Sequence, residues 1–133
     1  MGPNDAQIVR VFSREPGSQI ADVTLDPGQN AEIVLEAEAG GALHQGGGRY
    51  TVTLAVRDLS DGSAIPVNGA TVQGNFLDAN WPGLAGRFTF TVSDTTLKAH
   101  AGSIAQAFGS VVYGTSQPGA TFALSQPFQI LPQ

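Results

Sequence analysis

The residues of this chain whose types can do chemistry are few: His44 and His100, the pair Asp58 and Asp61, and the only tryptophan, Trp81, with Asp78 and Asn80 beside it. Imidazole titrates nearest neutrality and is the commonest general base and metal ligand, but the two histidines stand far apart in sequence. His44 lies in the glycine-bracketed stretch 40–48 and reads as an exposed loop residue. Asp58-Leu59-Ser60-Asp61-Gly62 begins like a calcium loop. It lacks the alternating oxygen ligands and closing glutamate of one, so it reads as a turn between strands. Glu32, Glu36 and Glu38 alternate along one segment, where their oxygens do not converge on a cation; they read as a solvated face.

Trp81 offers more. In Leu77 to Gly86, punctuated by Pro82, Gly83 and Gly86, its flat apolar ring sits among the hydrogen-bonding groups of Asp78 and Asn80. These are the ingredients for stacking a sugar ring or anchoring a partner, with Tyr50 or Tyr113 as helpers if exposed. The competing expectation is that Trp81 folds back and plugs one end of the domain.

Catalysis has no local support. The chain contains no Gly-x-Ser-x-Gly elbow and no His-Glu-x-x-His pair, and Gly46-Gly47-Gly48 precedes a strand pattern rather than a helix, so it forms no phosphate cradle. No enzyme, cofactor or metal site is expected.

The elements that must position these groups are strands. From Gly48 to Asp58, Tyr50, Val52, Leu54 and Val56 alternate with Arg49, Thr51, Thr53, Ala55 and Arg57, the period of a strand with one face in a core. Arg87 to Ser93 repeats the pattern with Phe88, Phe90 and Val92. Further strands are expected at Gln7 to Ser13, with Val9 and Val11 on one face, and at Ile20 to Leu25, with Ala21, Val23 and Leu25 together. Asp26-Pro27-Gly28 makes a turn before Ala31 to Ala39, where Ile33, Leu35 and Ala37 point inward and Val34 outward with the glutamates. Thr71 to Leu77, Phe108 to Tyr113, Ala120 to Ser125 and a last strand with Phe128 and Ile130 complete the set, the third and second of these joined by a hairpin connection at 115–119. Near 95–107, Leu97, Ala101, Ile104 and Phe108 recur at helical spacing behind Asp94 as N-cap, though strand spacing fits part of the same stretch. The expected fold is one all-β domain over 1–133, an antiparallel, immunoglobulin-like β-sandwich of about seven to nine strands with room for one short helix near 95–107.

The chain has 133 residues, enough to bury a core, and no cysteine, so disulfides and thiolate sites are excluded. No apolar run approaches the ~18 residues of a membrane span, so no membrane insertion is expected. A net charge of −5 with six scattered basic residues argues against nucleic acid. The charges are also unevenly placed. Residues 1–61 hold nine acids and four bases, whereas 62–133 hold only Asp78, Asp94, Arg87 and Lys98, where ordinary usage would give roughly 18 charges. Depletion of charge is a property of interface cores, so this half is the expected contact surface, to be weakened by substitutions such as Thr91→Glu.

Ile65-Pro66-Val67-Asn68-Gly69-Ala70-Thr71-Val72, following a strand and Asp-Leu-Ser-Asp-Gly, resembles the motif of bacterial immunoglobulin-like and transthyretin-like modules. Ser125-Gln126-Pro127-Phe128-Gln129-Ile130 resembles the last strand of bacterial sandwich repeats, while the segment 95–107 is longer than the usual connection in such modules. The resemblance implies a sandwich used for adhesion, spacing or display, and it carries over no functional residue. Sequence alone therefore points to a non-catalytic interaction or structural module, extracellular or on a cell surface, that contacts a protein or itself through 62–133. The alternative is a carbohydrate- or small-ligand-binding module using Trp81, Asp78 and Asn80, with a glycan as the partner.

Overall fold

A computed structural model describes residues 1–114 and 118–133. The chain runs through β1 (Ala6–Arg14), β2 (Thr24–Leu25), β3 (Ala31–Ala39), α1 (Gly41–Gln45), β4 (Arg49–Asp58), β5 (Ala64–Ile65), β6 (Thr71–Asn75), β7 (Ala85–Val92), α2 (Asp94–Ala99), β8 (Ile104–Tyr113), β9 (Gly119–Leu124) and β10 (Phe128–Ile130). Of the expected hairpin connection before β9, residues 115–117 lie outside the described residues.

Two sheets result. The small one has the order β1-β3-β7, antiparallel throughout. In the large one β4 pairs β8 along its length, from Tyr50 opposite Tyr113 to Asp58 opposite Ala105. β6 and β5 follow one another along the free side of β4, β9 and β10 do so along the free side of β8, and β2 adds to β10 in parallel. The inward side chains of β4 and β7, clear in the sequence, meet Ile33, Leu35, Val111 and Ile130 in the core between the sheets. This is the all-β sandwich expected from the alternation. Among the described residues no helix is long and apolar enough to cross a membrane.

Several local expectations are corrected. In β1 a bulge between Ile8 and Arg10 breaks the period of two, so Ile8 and Val11 enter the core and Val9 stays exposed. Of Ile20 to Leu25 only Thr24 and Leu25 form a strand; the Asp22 carboxylate accepts from the backbone N–H and hydroxyl of Thr24, a local bond that competes with the ladder. Val34 is fully buried, covered on the outer face by Phe12 of the neighbouring strand. The helix near 95–107 stops at Ala99, and its N-cap is Ser93, whose hydroxyl accepts from Thr96 N–H at 3.2 Å. Gly102, at φ +85°, turns the chain out of the helix, and Ile104 begins a strand instead.

Candidate interaction surface

Trp81, the centre of the expected ligand site, has 0% exposure. Its ring packs against Tyr50, Phe76 and Phe88 with centroid distances of 5.2, 4.9 and 5.7 Å, and its Nε1 donates to the Leu84 carbonyl at 3.0 Å. The absence of a Cβ at Gly86 makes room for it: a Cβ there would stand 2.6 Å from Trp81 Cδ2. Asp78 is also committed. Its carboxylate accepts from Tyr50 Oη at 2.9 Å and from the backbone N–H groups of Asn75, Asn80 and Trp81. Burial opposes its ionisation, but these donors outweigh burial and hold it below the usual carboxylate range. Burial, and then the bond to Asp78, pushes the Tyr50 hydroxyl well up. Asn80 is exposed, while Tyr50 and Tyr113 are both buried. The stacking face that a sugar needs is therefore not presented, because the ring has become the plug at one end of the sandwich.

The histidines are not brought together. His44 is buried on α1 near the Tyr50 end of β4, its Nε2 2.9 Å from the Trp81 carbonyl, which corrects the exposed-loop reading. His100 lies at the other end, its Nδ1 2.8 Å from Asp58 Oδ2. Asp58 is 1% exposed, and its Oδ1 accepts from the N–H groups of Ser60 and Asp61. Burial alone would raise its pKa; His100, Ser103 and the two backbone donors outweigh that and lower it. Ligand atoms of Asp58, Asp61 and His100 lie within 4.8 Å of one another. With both oxygens of Asp58 occupied, the arrangement pins the 58–63 turn against the 100–104 connection, as does Leu59 N–H donating to the Ile104 carbonyl at 2.7 Å.

The two outer faces of the sandwich differ sharply in chemistry. On the small sheet, Arg14 pairs with Glu32 at 3.0 Å, and Glu36 takes both Arg10 and, at 3.7 Å, Arg87. The Arg10 guanidinium also lies 4.2 Å from the Phe12 ring centroid, roofing the one apolar rung. Glu32 and Glu36 of the acidic stripe thus form a cross-strand ion-pair ladder, suited to water.

The large sheet is apolar on both faces in part. The inward residues of β8 are the small Ala105, Ala107 and Gly109 followed by Val111 and Tyr113, and a Cβ on Gly109 would meet Leu35 Cδ1 at 2.7 Å. Bulky residues also face out: Ile104 is 48% and Val112 47% exposed, and on β9 Phe122 is 76% and Leu124 60% exposed. Register sets them side by side, with Leu124, Phe108 and Ala55 in one row, Phe122, Ser110 and Thr53 in the next, and Ala120, Val112 and Thr51 in a third. Arg49 and Arg57 at the two ends of β4 are the charges on this face, and no carboxylate lies on it among the described residues. An antiparallel sheet facing water on one side carries polar residues there. The charge-poor half is thereby resolved into two parts: β8 and β9 form this patch, while Thr89 and Thr91 of β7 belong to the charged face, Thr91 opposite Glu32. Sequence reasoning missed Ile104, Phe108, Val112, Phe122 and Leu124 as a group. The available signal was that both alternating sets of β8 are free of charge.

No known protein family matches the chain, and no curated protein does. Solved structures do. The periplasmic chaperone SfaE superposes with a TM-score of 0.54 at 10% identity over 92% of this chain, which spans 58% of the chaperone's length. AggA, the major subunit of aggregative adherence fimbriae type I from Escherichia coli, superposes with a TM-score of 0.51 at 7% identity over 99% of this chain and 98% of its own. At these identities the likeness is one of fold, the immunoglobulin-like β-sandwich.

Proposed function

We propose that the chain is a non-catalytic protein-interaction module working outside the cytoplasm, with the outer face of the large sheet as its contact surface. The observation that carries this reading is the contrast between the two outer faces: one laced with arginine–glutamate pairs, the other built of Phe122, Leu124, Val112 and Ile104 with threonines and, among the described residues, no carboxylate. Contiguous exposed apolar surface on a folded domain marks a binding site. The histidines and buried carboxylates are each engaged in structural hydrogen bonds, which supports a non-catalytic role. The two similar structures, a periplasmic chaperone and a fimbrial major subunit, support the placement outside the cytoplasm.

Replacing Phe122 with the photo-crosslinking analogue p-benzoylphenylalanine in the cells that make the protein tests the surface. Protein adducts identified by mass spectrometry are expected from position 122 and not from position 89 on the charged face. Adducts from neither position, or equally from both, overturn the reading.

A further inference from the structure

We infer that the occupant of this face is a second copy of the same chain, stacked sheet against sheet about a two-fold axis lying in the interface. The inference rests on the interaction reading above and names its partner. Electrostatics favours a like copy. The chain carries eleven acidic residues for six basic ones, so two copies repel wherever carboxylates face each other. Among the described residues the β8–β9 face is free of them, and Arg49 and Arg57 stand at its margin on β4 rather than among Phe122, Leu124 and Phe108. An acidic or basic partner would find no matching charge at the centre of this patch; an identical uncharged patch fits it, as an isologous contact requires.

The face is also of the right size. Four strands ~4.8 Å apart and about eight residues long at ~3.3 Å each span roughly 19 by 26 Å, or ~500 Å² in projection. Side-chain relief raises the accessible area toward the ~800 Å² per partner of a standard interface.

Strand addition at an edge, the alternative route, meets obstacles within the chain. The outer edge of β9 is approached by β1, and Ile8 N–H donates to Thr121 Oγ1 at 3.3 Å across the gap. At the other corner Asn68 N–H donates to the Thr91 carbonyl of β7 at 3.0 Å. Both edges are partly closed within the chain, which leaves the broad face as the surface to cover.

The test uses the purified full chain. Sedimentation equilibrium from micromolar to hundreds of micromolar should give twice the 13.7 kDa chain mass at the upper end. Phe122→Asp places two carboxylates in the interface and should raise the dissociation constant at least ~100-fold while leaving the melting temperature of the monomer unchanged, since Phe122 is exposed. Thr89→Asp on the opposite face should leave the dimer intact. Because the chain has no cysteine, Ser110→Cys should form bismaleimide-linked dimers and Thr89→Cys should not. A wild-type chain that stays monomeric throughout, or a dimer that survives Phe122→Asp, overturns the inference. If the chain is monomeric yet position 122 still yields adducts with a different protein, the interaction reading stands and the second copy is refuted.

Discussion

Replacing Trp81 by alanine removes the largest fully buried side chain of the molecule, one that touches Tyr50, Phe76 and Phe88 and donates to Leu84. A substitution of this kind costs about 3–5 kcal/mol through lost transfer energy and an unfilled cavity. Gly86→Ala, by contrast, drives a methyl to 2.6 Å from Trp81 Cδ2 and should cost about 1–3 kcal/mol by overpacking. Combined with Trp81→Ala, the same Gly86→Ala has nothing to strike. It then gains about 0.4–1 kcal/mol from the reduced entropy of the unfolded chain. The two changes should couple by about 1.4–4 kcal/mol, with Gly86→Ala reversing sign between backgrounds. The assay is equilibrium urea unfolding followed by far-UV circular dichroism, because the variant lacks the only tryptophan fluorophore. If Trp81→Ala stays within about 1 kcal/mol of the parent, or if the two costs simply add, the account of Trp81 as a plug seated on Gly86 is wrong.

Acid should destabilise the protein in a defined window. Asp58 and Asp78 are both held below the ordinary carboxylate value in the folded chain, so their contribution is complete above about pH 4 and is lost as the pH falls through their folded values. In urea titrations across pH, Asp78→Asn should be less stable at neutrality and show a shallower acid slope; an unchanged slope refutes the assignment. Asp58→Ala removes the acceptor for His100 and for the N–H groups of Ser60 and Asp61, and should cost about 1.5–3 kcal/mol in the same assay. Leu77 is exposed with a left-handed φ of +78°. Leu77→Gly should raise stability by roughly 0.5–1 kcal/mol, measured as a higher urea midpoint, because glycine adopts that region without steric cost. His44→Ala removes one of the two donors to the Trp81 carbonyl, the Leu77 N–H remaining at 3.2 Å, and should cost about 0.5–1.5 kcal/mol by urea unfolding.

Alternation by itself determined β4 and β7, since every second residue of each is apolar and a half-buried strand admits no other period. It thereby determined the class of fold, and the charge count already set residues 62–133 apart. The bulge in β1 and the burial of His44 were decided by partners distant in sequence. A bulge is visible only against its neighbour β3, and His44 is held inside by the Trp81 carbonyl and the Phe76 ring. Trp81 shows the same limit: its residue type serves a sugar site or a plug equally, and the missing Cβ of Gly86 chose the plug. For β8 and β9 the sequence offered apolar residues on both faces. At Gly109 the close approach of Leu35 leaves no room for a side chain, while Phe122 and Leu124 of the neighbouring β9 face out.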